Sequence, residues 1–241
     1  MLVRRVMRRL LPRALSLRVR REWLSRQVSA GRGYFEDDIP LLRRYVRPAD
    51  VCWDIGANTG TYTLHLSRQA ARVIAFEPMP HNFEILKDVI SRARLDNVAA
   101  HQLALADRVG RARMHVPTNG FYGGYYLARL DEKGEAHVRT STIDALVAEG
   151  APEPDFIKCD VEGAERLVLM GARGLLARRR PIWLLETFED GIVELVRSFG
   201  YTAYTRNHEK RLIEVTTRVP ERNYWFFPDD AEGGPMDLSA P

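Results

Sequence analysis

The chain is 241 residues long, 45% hydrophobic and 28% charged, with a formal net charge of +4. That length can bury one sizeable core without a second domain. Its two cysteines, Cys52 and Cys159, both fall in apolar runs and read as reduced core thiols, which excludes a disulfide scaffold. No run approaches the roughly eighteen apolar residues of a spanning helix, so a cytoplasmic protein is expected.

The average charge hides an asymmetry. Residues 1–26 carry nine arginines against Glu22, a net of +8, which leaves −4 for the rest. Leu2, Val3, Val6, Met7, Leu10 and Leu11 recur at helical spacings among them, as in a basic amphipathic helix interrupted at Pro12. Three roles are open for this helix: packing on the folded domain, contact with an anionic membrane surface or anionic lipid-linked substrate, and nucleic acid, the least favoured. The stretch lacks the apolar core and cleavage site of a secretory signal. The expected division is an arm over 1–33, one domain over 34–228, and a tail over 229–241 that is expected to be flexible.

A helix or loop over 34–46 should lead into a first strand over 51–55 and a helix from Thr61. A second strand over 73–77, a helix through Arg94 and a third strand over 98–103 follow. A strand over 111–116 should pair with a return strand over 137–140, and Thr142 should cap a short helix. The fourth and fifth strands, 156–160 and 182–186, are apolar enough to be buried on both faces, and a sixth over 202–205 precedes an antiparallel last strand over 224–227. The expected fold is α/β, with ligands at the carboxyl edge of a mostly parallel sheet.

The stretch Asp54-Ile55-Gly56-Ala57-Asn58-Thr59-Gly60 joins the first strand to the first domain helix, and Glu77 ends the second strand. Glycines at such a turn let backbone approach a ligand, and a carboxylate at the next strand end can accept both hydroxyls of a ribose. A dinucleotide site would carry Gly-x-Gly-x-x-Gly. Here the spacing is Gly56-x-x-x-Gly60, with Asp54 placed to meet an ammonium group rather than a pyrophosphate. That selects S-adenosylmethionine, held by Asp54, Gly56, Asn58, Gly60 and Glu77; the bland alternative is an ordinary turn capped by Thr59.

Further segments extend this to a family. VCWDIGANTGTYT (51–63), VIAFEPMP (73–80), NVAAHQLALADRVG (97–110), TIDAL (142–146), DFIKCDVEGAERLVLMG (155–171) and PIWLLE (181–186) together resemble the FkbM-type methyltransferases, a branch of the class I S-adenosylmethionine-dependent enzymes. The most specific block is Ile157-Lys158-Cys159-Asp160-Val161-Glu162-Gly163. The resemblance implies a Rossmann-like sandwich around a mostly parallel seven-stranded sheet with one antiparallel strand. It also implies Ala104 and Leu105 beside the adenine, and transfer to a hydroxyl of a sugar or secondary metabolite.

Asp160, Glu162 and Glu186 should meet at one rim, where three carboxylates repel unless a cation offsets them. Lys158 shares the strand parity of Asp160 and is the expected source of compensation. Asp160, with Glu162 and Lys158, is the catalytic candidate, and Asp160 also borders the cofactor. The alternative is that Asp160 and Glu162 only satisfy backbone donors at the next helix start. The same three carboxylates could hold magnesium, a further option, whereas no histidine or cysteine cluster supports zinc. Tyr122, Tyr125 and Tyr126 in a glycine-rich insertion, with Glu186, are the expected acceptor contacts. Two other activities stay open: transfer to nitrogen or to a lipid-linked glycan at a membrane, and a catalytically silent cofactor-binding module.

Overall fold

In a computed structural model of the chain, residues 13–32, 36–116, 129–130, 133–207, 211–220 and 222–230 are described. The amphipathic run over 2–11, the three tyrosines of the insertion and residues 231–241 of the tail lie outside them. In chain order the elements are α1 (Arg13–Ser29), α2 (Ile39–Tyr45), β1 (Val51–Ile55), α3 (Thr61–Ser67), β2 (Arg72–Phe76), α4 (Pro80–Ala93), β3 (Val98–His101), β4 (Ala104–Leu105), β5 (Gly110–His115) and β6 (Arg129–Leu130). There follow β7 (Ala136–Ser141), α5 (Ile143–Ala148), β8 (Phe156–Cys159), α6 (Glu165–Met170), α7 (Arg173–Arg178), β9 (Ile182–Glu186), α8 (Ile192–Arg197), β10 (Tyr201–Arg206), β11 (Leu212–Val215) and β12 (Asn223–Pro228).

The main sheet has the order β11-β10-β12-β9-β8-β1-β2-β3. Strands β9, β8, β1, β2 and β3 are joined by parallel pairings, and β12 runs antiparallel between β9 and β10. The expected seven strands with one reversed are corrected here to eight with two reversed, because β11 adds an antiparallel edge to β10 through Ala203↔Val215 to Arg206↔Leu212. Its sequence, Leu-Ile-Glu-Val, is short and half exposed, so it carries neither the apolar run of a central strand nor a clean alternation. A second sheet, β4-β7-β5-β6, contains the expected antiparallel pair of β5 with β7.

Every residue of β8 is buried, because helices cover both faces of the sheet. Alternate residues separate into two cores. Trp53, Ile157, Cys159, Trp183 and Phe226 pack with Val168, Leu175, Leu176 and Val193 of the α6–α8 side. Cys52, Phe156, Leu184 and Trp225 pack with Leu41, Leu42, Tyr62 and Leu66 of the α2–α3 side. The two cysteines are buried and free, one in each core, which is what reduced core thiols require.

The described part of the arm packs on α4. Leu24 and Val28 bury against Ile85 and Val89. Arg21 donates two hydrogen bonds to the Asp88 carboxylate, at 2.6 and 2.8 Å, and lies 3.2 Å from Glu84, while Arg92 pairs with Glu22. Trp23 of the same helix remains half exposed. No described helix is long and apolar enough to cross a membrane.

Candidate functional site

The carboxyl edge is built by the close meeting of three strand ends. Leaving β1, the N–H groups of Gly56 and Ala57 both donate to the Phe76 carbonyl at 2.9 Å, while Asp160 N–H donates to the Ile55 carbonyl at 3.0 Å. Gly56 has φ +79°, and a Cβ there would lie 1.8 Å from the Asp160 carbonyl oxygen. Only glycine lets the chain turn at this separation. Gly60, at φ +91°, opens α3, and a Cβ on it would stand 2.8 Å from Leu86.

Glu77 is fixed from two sides. Its carboxylate accepts the Asn58 N–H at 2.9 Å and the Met79 N–H at 2.8 Å. Burial pushes its pKa up to about 7 despite these donors, which favour the charged form. The Asn82 side chain is a third hydrogen-bond donor to this carboxylate. The buried Oδ1 of Asn58 has no hydrogen-bond partner.

These groups face a cleft of about 570 Å³, including its open mouth. Its lining includes Gly56, Asn58, Glu77, Met79 and Asn82, the apolar Leu103, Ala104, Leu105, Met114 and Leu130, and Asp160, Val161, Glu162 and Ala164. The structure thus brings Gly56, Asn58, Glu77, Ala104, Leu105, Asp160 and Glu162 together. The apolar wall from Met114 and Leu130 had no motif to announce it, since it comes from the second sheet, which docks through Met79.

Four of the expected site residues lie outside this lining. Asp54, Gly60, Lys158 and Glu186 are not among the residues lining the cleft. Asp54 is 1% exposed and accepts a hydrogen bond from the Thr63 hydroxyl of α3, and burial pushes its pKa up to about 6. From β1 its side chain projects off the sheet toward α3. Gly60 serves the helix start, and Lys158 lies behind Asp160, with Nζ 3.7 Å from Asp160 Oδ2.

The rim carboxylates influence one another. Burial, then the charge of Asp160, pushes both Glu162 and Glu186 up to about 7. Lys158 is moved upward: burial works against its charge, but Asp160, Glu36, Glu186 and Asp54 outweigh it. Glu162 sits at φ +54°, a backbone region that costs a non-glycine residue about 1 kcal/mol or more. The helix-start donors go to neither Asp160 nor Glu162. Glu165 accepts Gly163 N–H at 3.0 Å and Val161 N–H at 3.3 Å, so it is the residue that shapes this loop. Among the described residues no group of histidine, cysteine, aspartate or glutamate is arranged to hold a metal ion, so Asp160, Glu162 and Glu186 do not form the magnesium cluster raised from the sequence.

Comparison with known proteins agrees with this geometry. The family model described as methyltransferase FkbM domain matches residues 54–203. The 31-O-demethyl-FK506 methyltransferase FkbM of Streptomyces tacrolimicus is 30% identical over 219 residues, covering 75% of this chain and 82% of that protein. The hexuronic acid methyltransferase AglP of Haloferax volcanii is 32% identical over 145 residues, covering 58% of this chain and 57% of that protein. The crystal structure of methyltransferase FkbM from Methylobacillus flagellatus KT matches with a TM-score of 0.53 at 15% identity, covering 87% of this chain and 59% of that one, and so shares the fold.

Proposed function

The chain belongs to the FkbM family of methyltransferases, and from that premise we propose that it transfers a methyl group from S-adenosylmethionine to a hydroxyl of a sugar or secondary metabolite. The observation that carries the reading is Glu77, a strand-end carboxylate anchored by two backbone donors and facing the same cleft as Asp160. The residues fit the cofactor. Glu77 and the orphaned Asn58 Oδ1 supply acceptors for ribose hydroxyls and an ammonium, the Gly56 turn admits close backbone approach, and Leu103 and Leu105 offer an apolar wall to a purine. When bound, the cofactor supplies an electrophilic methyl on a sulfonium.

The chain's own task is positioning and the removal of one proton. Asp160, which lines the same cleft as Glu77, would accept the proton of the acceptor hydroxyl as its oxygen takes the methyl, with S-adenosylhomocysteine as the leaving group. Glu162, which lines the cleft and titrates near neutrality, is placed to hydrogen-bond another hydroxyl of the acceptor. The acceptor class is supported by the names of the relatives, a 31-O-demethyl-FK506 methyltransferase and a hexuronic acid methyltransferase.

Calorimetry with S-adenosylmethionine, followed by incubation of the labelled donor with a panel of glycosides, polyketide alcohols, amines and lipid-linked glycans, tests the proposal. Label in glycosides or alcohols is the expected result. Label only in amines or lipid-linked glycans replaces the acceptor, and cofactor binding without transfer to any of them indicates a silent module. Repeating the assay with magnesium and with a chelator tests a metal requirement.

A further inference from the structure

Lys158 is 1% exposed, and its ammonium makes no hydrogen bond. An ammonium has three donors, and burying them without acceptors is costly unless the surrounding charge compensates. Beside it stand the ring of Tyr62 from α3, with its centroid 4.8 Å from Nζ, and the Asp160 carboxylate at 3.7 Å, while Glu36 preceding α2, Glu186 ending β9 and Asp54 in β1 add electrostatic attraction at longer range. Lys158 is therefore a shared counter-charge at the centre of the carboxyl edge.

Glu36 is the unexpected member. It lies N-terminal to residues 54–203, the part of the chain that matches the family model. Its carboxylate accepts the Tyr62 hydroxyl at 2.9 Å, so one tyrosine binds Glu36 with its oxygen and faces Lys158 with its ring. The next two residues pin the segment. Asp37 pairs with Arg206 at the end of β10, at 3.0 Å. Asp38, 3% exposed, accepts Trp225 Nε1–H at 2.9 Å and Asn223 Nδ2–H at 2.8 Å at the start of β12. Three consecutive acids thus strap the edge of the sheet, each held by a different partner. Placing a negative loop beside a carboxylate-rich rim is unfavourable unless a cation offsets it, and Lys158 is the buried cation that faces it.

We propose that Glu36 is a positioning residue of the active site: held on Tyr62, it shares the Lys158 ammonium with Asp160 and so sets the placement of the Asp160 carboxylate toward the acceptor. This rests on the reading of Asp160 as the acceptor-side carboxylate. The strap is then part of the catalytic unit, although it lies outside the matched family segment.

The full chain carrying Glu36→Gln or Lys158→Met tests it. Gln retains an oxygen for the Tyr62 hydroxyl, and Met is close in volume to the lysine stem, so both variants preserve packing. Three measurements are compared with wild type: S-adenosylhomocysteine affinity by calorimetry, kcat and KM against pH with an acceptor from the panel above, and the Asp160 titration by carboxyl 13C NMR, assigned with Asp160→Asn. Glu36→Gln is expected to keep cofactor affinity within about twofold and to lower kcat by about tenfold. It should move the Asp160 titration to lower pH, because the ammonium then serves one carboxylate fewer, whereas Lys158→Met should move it to higher pH. An Asp160 titration unmoved in both variants, or moved the same way, overturns the proposal. If wild type methylates no acceptor while the opposite NMR shifts occur, the proposed function fails and the linkage of Glu36 to Asp160 stands.

Discussion

The Asp160 carbonyl oxygen occupies the space in which a side chain on Gly56 would begin, 1.8 Å from the position of its Cβ. The end of β8 and the turn after β1 are in direct backbone contact. Gly56→Ala must therefore separate the two strand ends and also adopt φ +79° with a Cβ. The expected loss is about 3 kcal/mol of stability, together with weakened cofactor binding. Thermal melting of the variant checks this, and a melting temperature equal to wild type would show that the turn has room to relax.

Several buried carboxyls link stability to pH. Asp54 is pushed up to about 6, and Glu77, Glu162 and Glu186 to about 7, chiefly by burial. The folded protein holds these protons to higher pH than the unfolded chain does, so the stability they contribute is complete below their unfolded values and is lost as pH rises through about 6 to about 7. The ligand-free protein should melt at a lower temperature at about pH 8 than at about pH 5.5. A melting temperature that climbs across that window contradicts the assignment.

Cofactor affinity should have the opposite pH dependence. A protonated Glu77 loses an acceptor that the ribose hydroxyls need, so S-adenosylmethionine should bind more tightly as pH rises through about 7. Glu77→Gln should weaken binding by about 1.5 to 3 kcal/mol, roughly tenfold to a hundredfold, and flatten this dependence. Calorimetry at several pH values reads both effects; equal affinity of variant and wild type would remove Glu77 from the cofactor pocket.

The arm offers a test of a different kind. Deleting residues 1–32 uncovers Ile85 and Val89 and leaves Asp88 and Glu84 without Arg21. Apolar surface exposed on α4 should lower the melting temperature or cause aggregation. Anionic-vesicle sedimentation of intact and truncated protein, with a salt series, distinguishes structural packing from membrane attachment, because attraction between exposed charges is screened by salt. Vesicle binding that is lost with the arm while melting is unchanged would reverse the structural assignment.

Much of the fold was legible because its signals are local. The largely apolar and mostly buried runs 51–55, 156–159 and 182–186 announce central strands, and the Thr142 side chain accepts the Ala145 N–H as a cap should. Strand β11 was illegible because an edge strand is defined by its neighbour, and Leu212 to Val215 have no pattern of their own strong enough to mark it.

The position of the cleft at the carboxyl edge followed from motifs that impose themselves on backbone: glycines at the strand-to-helix turn, a carboxylate at the second strand end, and the Asp160-to-Gly163 block. Which of these side chains face the cleft was decided only by tertiary structure. Asp54 and Lys158 lie within a few residues of Gly56 and Asp160, yet they project toward α3, where Thr63 receives one and Tyr62 the other. Glu36 had no motif at all. Its place at the site comes from the Asp38–Trp225 and Asp37–Arg206 pairings, contacts between residues more than 160 positions apart, and no local pattern encodes a partner at that distance.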